Sequence, residues 1–123
     1  MELAAESLTG APIWHAGGCH CGRVRLEALA PRDLELLDCN CSMCRRSGFL
    51  HLIVAKGQFR LLAGADDLVE YRFGTGTARH LFCRHCGVKS FYVPRSHPDG
   101  YSVNVRCLDA GTIDALTITP FDD

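Results

Sequence analysis

Apolar positions recur at every second residue over much of this chain. Arg23-Val24-Arg25-Leu26-Glu27-Ala28-Leu29 alternates cleanly, and Leu68-Val69-Glu70-Tyr71-Arg72-Phe73 does so less cleanly, as strands buried on one face do. Residues 50–55 and 59–62 predict a hairpin broken at Lys56-Gly57. Residues 78–82, 90–93 and 101–108 extend the series, with turn signals at 64–67, 74–76 and 94–100. Helix has room only from Ser42 to about Ser47, where Gly48 predicts a stop. No repeat, low-complexity tract or linker interrupts the pattern, and the ends, 1–11 and 119–123, are expected to fray. The pattern predicts a small, mostly β domain of largely antiparallel strands with metal-binding turns.

Composition narrows this further. A chain of 123 residues suits one domain, 1–123. Lys+Arg 13 against Asp+Glu 14 leaves a formal charge of -1, so there is no basic field for a polyanion, and neither nucleic acid nor a membrane is an expected partner. Residues 1–12 lack a basic segment followed by an apolar one, so no secretory signal is read and a reducing, cytoplasmic setting is expected. The eight cysteines change the picture. They fall below the roughly 8 to 10% that marks a small disulfide scaffold, so spacing must decide between bridges and metal.

Seven of them sit in three clusters: Cys19-His20-Cys21, Cys39-Asn40-Cys41-Ser42-Met43-Cys44 and Cys83-Arg84-His85-Cys86. A Cys-x-x-Cys knuckle puts two thiolates on one tight turn, and tetrahedral zinc needs two such pairs from distant parts of a chain. Cys83 and Cys86 make one pair, with Gly87 easing the turn. Cys19 and Cys21, among glycines 17, 18 and 22, make another, and pairing the two would make a closed four-cysteine site. Two reducible disulfides or free buried thiols are the competing reading of these four, disfavoured by the turn chemistry.

The middle cluster supplies three thiolates without an obvious fourth ligand nearby. Structural zinc is closed by four protein ligands, whereas catalytic zinc keeps a position for water or substrate, so Cys39, Cys41 and Cys44 read as an open site. The start of the short helix and the adjacent Arg45 and Arg46 would favour ionised thiols and an anionic ligand. Three alternatives stay open here: a structural zinc closed by His51, His80 or Cys107, part of an iron-sulfur site, or a redox pair. Cys107, in an apolar pattern with Val103, Val105 and Leu108, reads as a core thiol. His20 and His85 are expected to lie outside the metal shell, His15 and His97 are lone, and His51 is a candidate to reach the open cluster. Arg45 and Arg46 could equally be solvated surface charges.

The run Gly-Gly-Cys19-His-Cys21-Gly-Arg-Val-Arg, then Asp38-Cys39-Asn-Cys41-Ser-Met-Cys44-Arg-Arg-Ser-Gly48, then Phe-Cys83-Arg-His-Cys86-Gly, then Val-Asn-Val-Arg106-Cys107-Leu108-Asp109 resembles the glutathione-dependent formaldehyde-activating enzyme family, which includes centromere-protein-V-like proteins. The match covers about 14–109. The resemblance implies a β-tent fold of packed sheets, a structural zinc on Cys19, Cys21, Cys83 and Cys86, and a catalytic zinc on Cys39, Cys41 and Cys44. It implies a carbon-sulfur lyase that joins glutathione to formaldehyde, the thiol taking the fourth zinc position as its thiolate. Arg45 and Arg46 would then meet glutathione carboxylates. The partners implied are a small thiol and a small aldehyde, with a homodimer left open. A non-catalytic, zinc-stabilised binding module of the same fold is the alternative, weakened by the absence of basic extensions. Seven thiolates outweigh two divalent ions in charge, so zinc loading would make the chain more acidic still.

Overall fold

The computed structural model describes residues 11–122. Its strands are β1 (Ile13–Gly18), β2 (Arg25–Ala30), β3 (Asp33–Cys39), β4 (His51–Ala55), β5 (Phe59–Ala63), β6 (Leu68–Tyr71), β7 (Arg79–Cys83), β8 (Phe91–Val93), β9 (Gly100–Asn104) and β10 (Ala115–Phe121), with one short helix, α1 (Ser42–Ser47). They form a three-stranded sheet, β1-β2-β5, and a seven-stranded sheet, β10-β3-β4-β9-β8-β7-β6. Every pairing is antiparallel except β10 on β3, so the mostly β reading holds. Among the described residues no helix is long and apolar enough to cross a membrane.

Side-chain alternation decides what lies between the sheets. Leu26 and Ala28 of β2 are buried and meet Leu52, Val54, Phe91 and Val103 of the large sheet in one apolar core. Each of those large-sheet strands turns its intervening residues the other way. His51 and Ile53 of β4 and Tyr92 of β8 therefore stand on the opposite face, lining a cleft. A central strand buried on both faces is the physical reason β4 reads as a continuous apolar run.

The predicted hairpin over 50–62 does not form. β4 pairs with β3 and β9 in the large sheet, while β5 pairs with β2 in the small one. A 3-10 turn, Lys56–Gln58, separates them, and Gln58 Oε1 accepts from the Ala55 amide at 2.9 Å, sending the chain across to the other layer. The strand expected over 101–108 stops at Asn104, whose Oδ1 accepts from the Arg106 amide at 3.1 Å and caps a second 3-10 turn, Val105–Cys107. The expected fraying at the C-terminus is also corrected: residues 119–121 lie in β10, paired with Leu37, Asp38 and Cys39 of β3. The fraying expected of 1–11, and most of the stretch read for a secretory signal, fall outside the described residues apart from Ala11 and Pro12.

Candidate metal centres and cleft

The four-cysteine cluster is built where two strand ends converge. Cys19 follows β1, Cys83 ends β7, and the turns after them carry Cys21 and Cys86. All four sulfur atoms lie within 4.8 Å of one another. Cys19 to Cys21 and Cys21 to Cys83 are each 3.6 Å, non-bonded separations close to the roughly 3.8 Å edge of a tetrahedron with zinc-sulfur bonds of about 2.3 Å. A disulfide would need about 2.05 Å. Backbone amides already aim at the thiols, Val24 N at Cys19 Sγ (3.3 Å) and His85 N at Cys83 Sγ (3.4 Å). Gly87, at φ +77°, turns the chain back after Cys86, a conformation side chains with a Cβ disfavour. Burial works to raise the Cys86 thiol, but the amides of Cys21 and Val88 outweigh it and bring it down to about 6. The Arg23 amide and guanidinium likewise lower Cys21. His20 is exposed, and His85 is tied to Asp67 at 2.8 Å, so neither histidine joins the thiols.

The three-cysteine cluster is local. Cys39 ends β3, Cys41 is the residue that caps α1, and Cys44 lies on the helix's first turn. The Cys44 amide donates to Cys41 Sγ at 3.4 Å. Gly48, at φ +67°, closes α1 where the sequence predicts. The three sulfurs lie within 4.8 Å of one another, and no fourth His, Cys, Asp or Glu among the described residues joins that set. Burial raises Cys39 and, more strongly, Cys44, where the other two thiols add to the effect. At Cys41 burial is overcome by the Cys44 amide and neighbouring thiols, and the pKa falls. Burying three thiols together is costly unless a cation offsets their charge, so both donor sets suit a thiophilic divalent metal such as zinc.

The three proposed closing ligands are accounted for individually. His51 reaches the cluster, its Nε2 3.1 Å from Cys44 Sγ, but as a hydrogen-bond partner of one thiol. Its Nδ1 lies 2.9 Å from Ser102 Oγ and 3.3 Å from the Tyr92 hydroxyl. Burial holds this imidazole at about 4, so it is neutral. With a hydroxyl donating to Nδ1, its single N–H faces Cys44, the arrangement that orients a thiolate. His80 lines the same cleft but does not join the thiol set, and Cys107 stands outside both clusters, half-buried, with burial pushing its thiol up to about 11.

The three thiols open into a cleft of about 490 Å³. Leu37, Ile53, Tyr92 and Phe121 supply apolar wall, and Ser42, Thr75, Arg95 and Ser96 supply polar groups. No carboxylate among the described residues lines it. Arg45 and Arg46 are exposed on α1 and are not among its lining residues, whereas Arg95 is. Arg95, Tyr92 and Phe121 carry no motif in the sequence; Phe121 reaches the cleft because β10 pairs it with Cys39. The four-cysteine cluster is not part of the cleft wall.

The family model for the glutathione-dependent formaldehyde-activating enzyme matches residues 14–120. Among solved structures, the crystal structure of a Rhodobacter sphaeroides protein, a Northeast Structural Genomics target, is similar at 35% identity and a TM-score of 0.70, over 85% of this chain and 99% of that one.

Proposed function

Since the chain belongs to the glutathione-dependent formaldehyde-activating enzyme family, we propose that it joins a thiol, glutathione or a close analogue, to formaldehyde or another small aldehyde, a carbon-sulfur lyase reaction run in the bond-forming direction. One observation carries the reading: three thiols without a fourth protein ligand among the described residues stand at the wall of a cleft of small-molecule size.

Cys39, Cys41 and Cys44 would hold the reactive zinc, and Cys19, Cys21, Cys83 and Cys86 the structural one. Bound at the open set, zinc supplies a position at which a thiol is deprotonated at neutral pH. The chain's own residues do the rest. The Cys44 amide and His51 orient two of the three sulfurs. Tyr92 and Ile53 would give the reacting atoms an apolar wall, which strengthens charge interactions beside them. Arg95 and His97 offer the cationic and polar rim that a carboxylate-bearing thiol would meet. Non-bonded thiols at 3.6 Å suit a reducing compartment, so a cytoplasmic location belongs to this reading.

The test is thiol-dependent loss of free formaldehyde by zinc-loaded protein. Wild type is expected to exceed the spontaneous rate and Cys41→Ser to return to it. Equal rates for the two proteins would overturn the reading.

A further inference from the structure

Addition of a sulfur to an aldehyde leaves one atom unserved. As the C–S bond forms, the C=O π bond breaks and its electron pair moves to oxygen, which then needs a hydrogen-bond donor and a proton. Thiolates offer neither.

His80 stands in the wall of the same cleft, 6% exposed. It lies on β7 between β6 and β8, and its ring is stacked on Tyr92 from the β8 side (4.9 Å, 11°) and on Phe73 from the β6 side (5.1 Å, 20°). Lys89 Nζ lies 2.7 Å from His80 Nδ1. An ammonium has only donors, so Nδ1 accepts and the ring carries its own proton on Nε2. Nε2 makes no hydrogen bond to the described residues. With both ring faces covered and Nδ1 occupied, Nε2–H is the polar group the ring can present to the cleft. Lys89 is itself seated over the rings of Tyr92 (4.1 Å) and Phe49 (5.1 Å) and, among the described residues, has no carboxylate partner. A half-buried lysine held against a buried histidine at a cleft, with no carboxylate among the described residues to offset its charge, is a costly arrangement.

We propose that His80 is the catalytic donor of this cleft, offering Nε2–H to the oxygen that turns anionic as the thiol adds to the aldehyde, with Lys89 behind it as positioning residue and proton source. This rests on the thiol-aldehyde reading above. His80 Nε2 gives its proton to the alkoxide while Nδ1 takes one from the Lys89 ammonium; the ring then resets as Nδ1 returns that proton to Lys89 and Nε2 takes up, through water, the proton the thiol released. The product hydroxyl thus gains the equivalent of the proton the thiol released.

Protonation states fit that sequence. Burial and the Lys89 charge hold His80 at about 4, and burial lowers Lys89 to about 8 against the pull of the Cys44 and Cys41 thiolates. The imidazole is then neutral and the amine protonated at pH 7. The other titratable groups facing the pair are the Tyr71 hydroxyl from β6, the Tyr92 hydroxyl from β8 and, beyond Tyr92, His51 from β4. Because the ammonium form is required, kcat should fall as pH rises through about 8.

Zinc-loaded wild type, His80→Phe, His80→Gln and Lys89→Met would be compared by formaldehyde consumption and by ¹⁵N NMR of the imidazoles. His80→Phe keeps the stack and removes the donor; a loss of about 100-fold in kcat is expected, with KM for the thiol within about threefold. His80→Gln, which restores an N–H near the Nε2 position, should recover about tenfold of that loss. Lys89→Met should abolish the fall above about pH 8. Wild-type spectra should show His80 neutral and protonated on Nε2, a preference lost in Lys89→Met. Active wild type with His80→Phe within threefold of it, or a wild-type proton on Nδ1, overturns the role of His80 alone. Wild-type turnover at the spontaneous background overturns the thiol-aldehyde reading and this role with it.

Discussion

The two thiol clusters share one donor chemistry and are assembled from the chain in opposite ways. The four-cysteine set joins turns that are far apart in sequence, Cys21 lying beside Cys83 across 62 positions, and it roots two of its thiols, Cys19 and Cys83, in the apolar core. The three-cysteine set comes from a six-residue stretch around the start of α1 and faces a cleft. A cross-link between distant segments restrains the unfolded chain and organises the native one; a local set restrains little. The difference teaches that ligand number and sequence separation together, rather than cysteine count, are what would set a structural site apart from a reactive one.

Breaking the first set should therefore have the largest effect. Cys83 is fully buried at the junction of β7 and the core, and Cys83→Ser is expected to lose one zinc and at least about 3 kcal/mol of stability, lowering Tm by roughly 10 °C or more. Calorimetry with metal analysis on the same sample checks it. Cys41→Ser should remove the other zinc and all turnover above background, yet move Tm by no more than about 3 °C. A Tm loss equal to that of Cys83→Ser would erase the proposed division of labour. A smaller, reversible separation should appear on chelation. Three thiolates hold a metal less tightly than four, so a graded chelator should strip the open set first, with turnover lost before the thermal transition shifts.

The grouping of seven thiols into two sets was legible in the sequence because both announce themselves by spacing, and α1 with its Gly48 stop was legible because a capped turn is a local event. Pairing was less so. Residues 50–55 and 59–62 look like hairpin arms, yet their partners lie on β9 and β2, a choice made by two-faced burial rather than by the turn between them. β10 was not read from the sequence: Leu116-Thr117-Ile118-Thr119 alternates, but all seven residues of the strand are exposed, so the alternation marks no buried face. Nor could His80 and Lys89 be paired in advance. Their meeting depends on the register that sets His80 opposite Tyr92, and register is a property of the assembled sheet.

The smallest predicted effect tests where the cleft reads its substrate's charge. Helix α1 presents Arg45 and Arg46 to solvent outside the cleft, whereas the segment after β8 places Arg95 among the lining residues. A guanidinium at a solvent-exposed rim contributes a charge-assisted contact weakened by screening, so Arg95→Ala should raise KM for glutathione by about three- to tenfold with kcat nearly unchanged. Arg45→Ala and Arg46→Ala should change it by less than about twofold. Because a screened contact weakens with ionic strength, the gap between Arg95→Ala and wild type should narrow in about 0.5 M salt. If Arg45 or Arg46 carried the larger KM effect, the thiol substrate would have to lie across α1 rather than along the β8 side of the cleft, and the contrast between the open set and its surroundings would need to be redrawn around the helix.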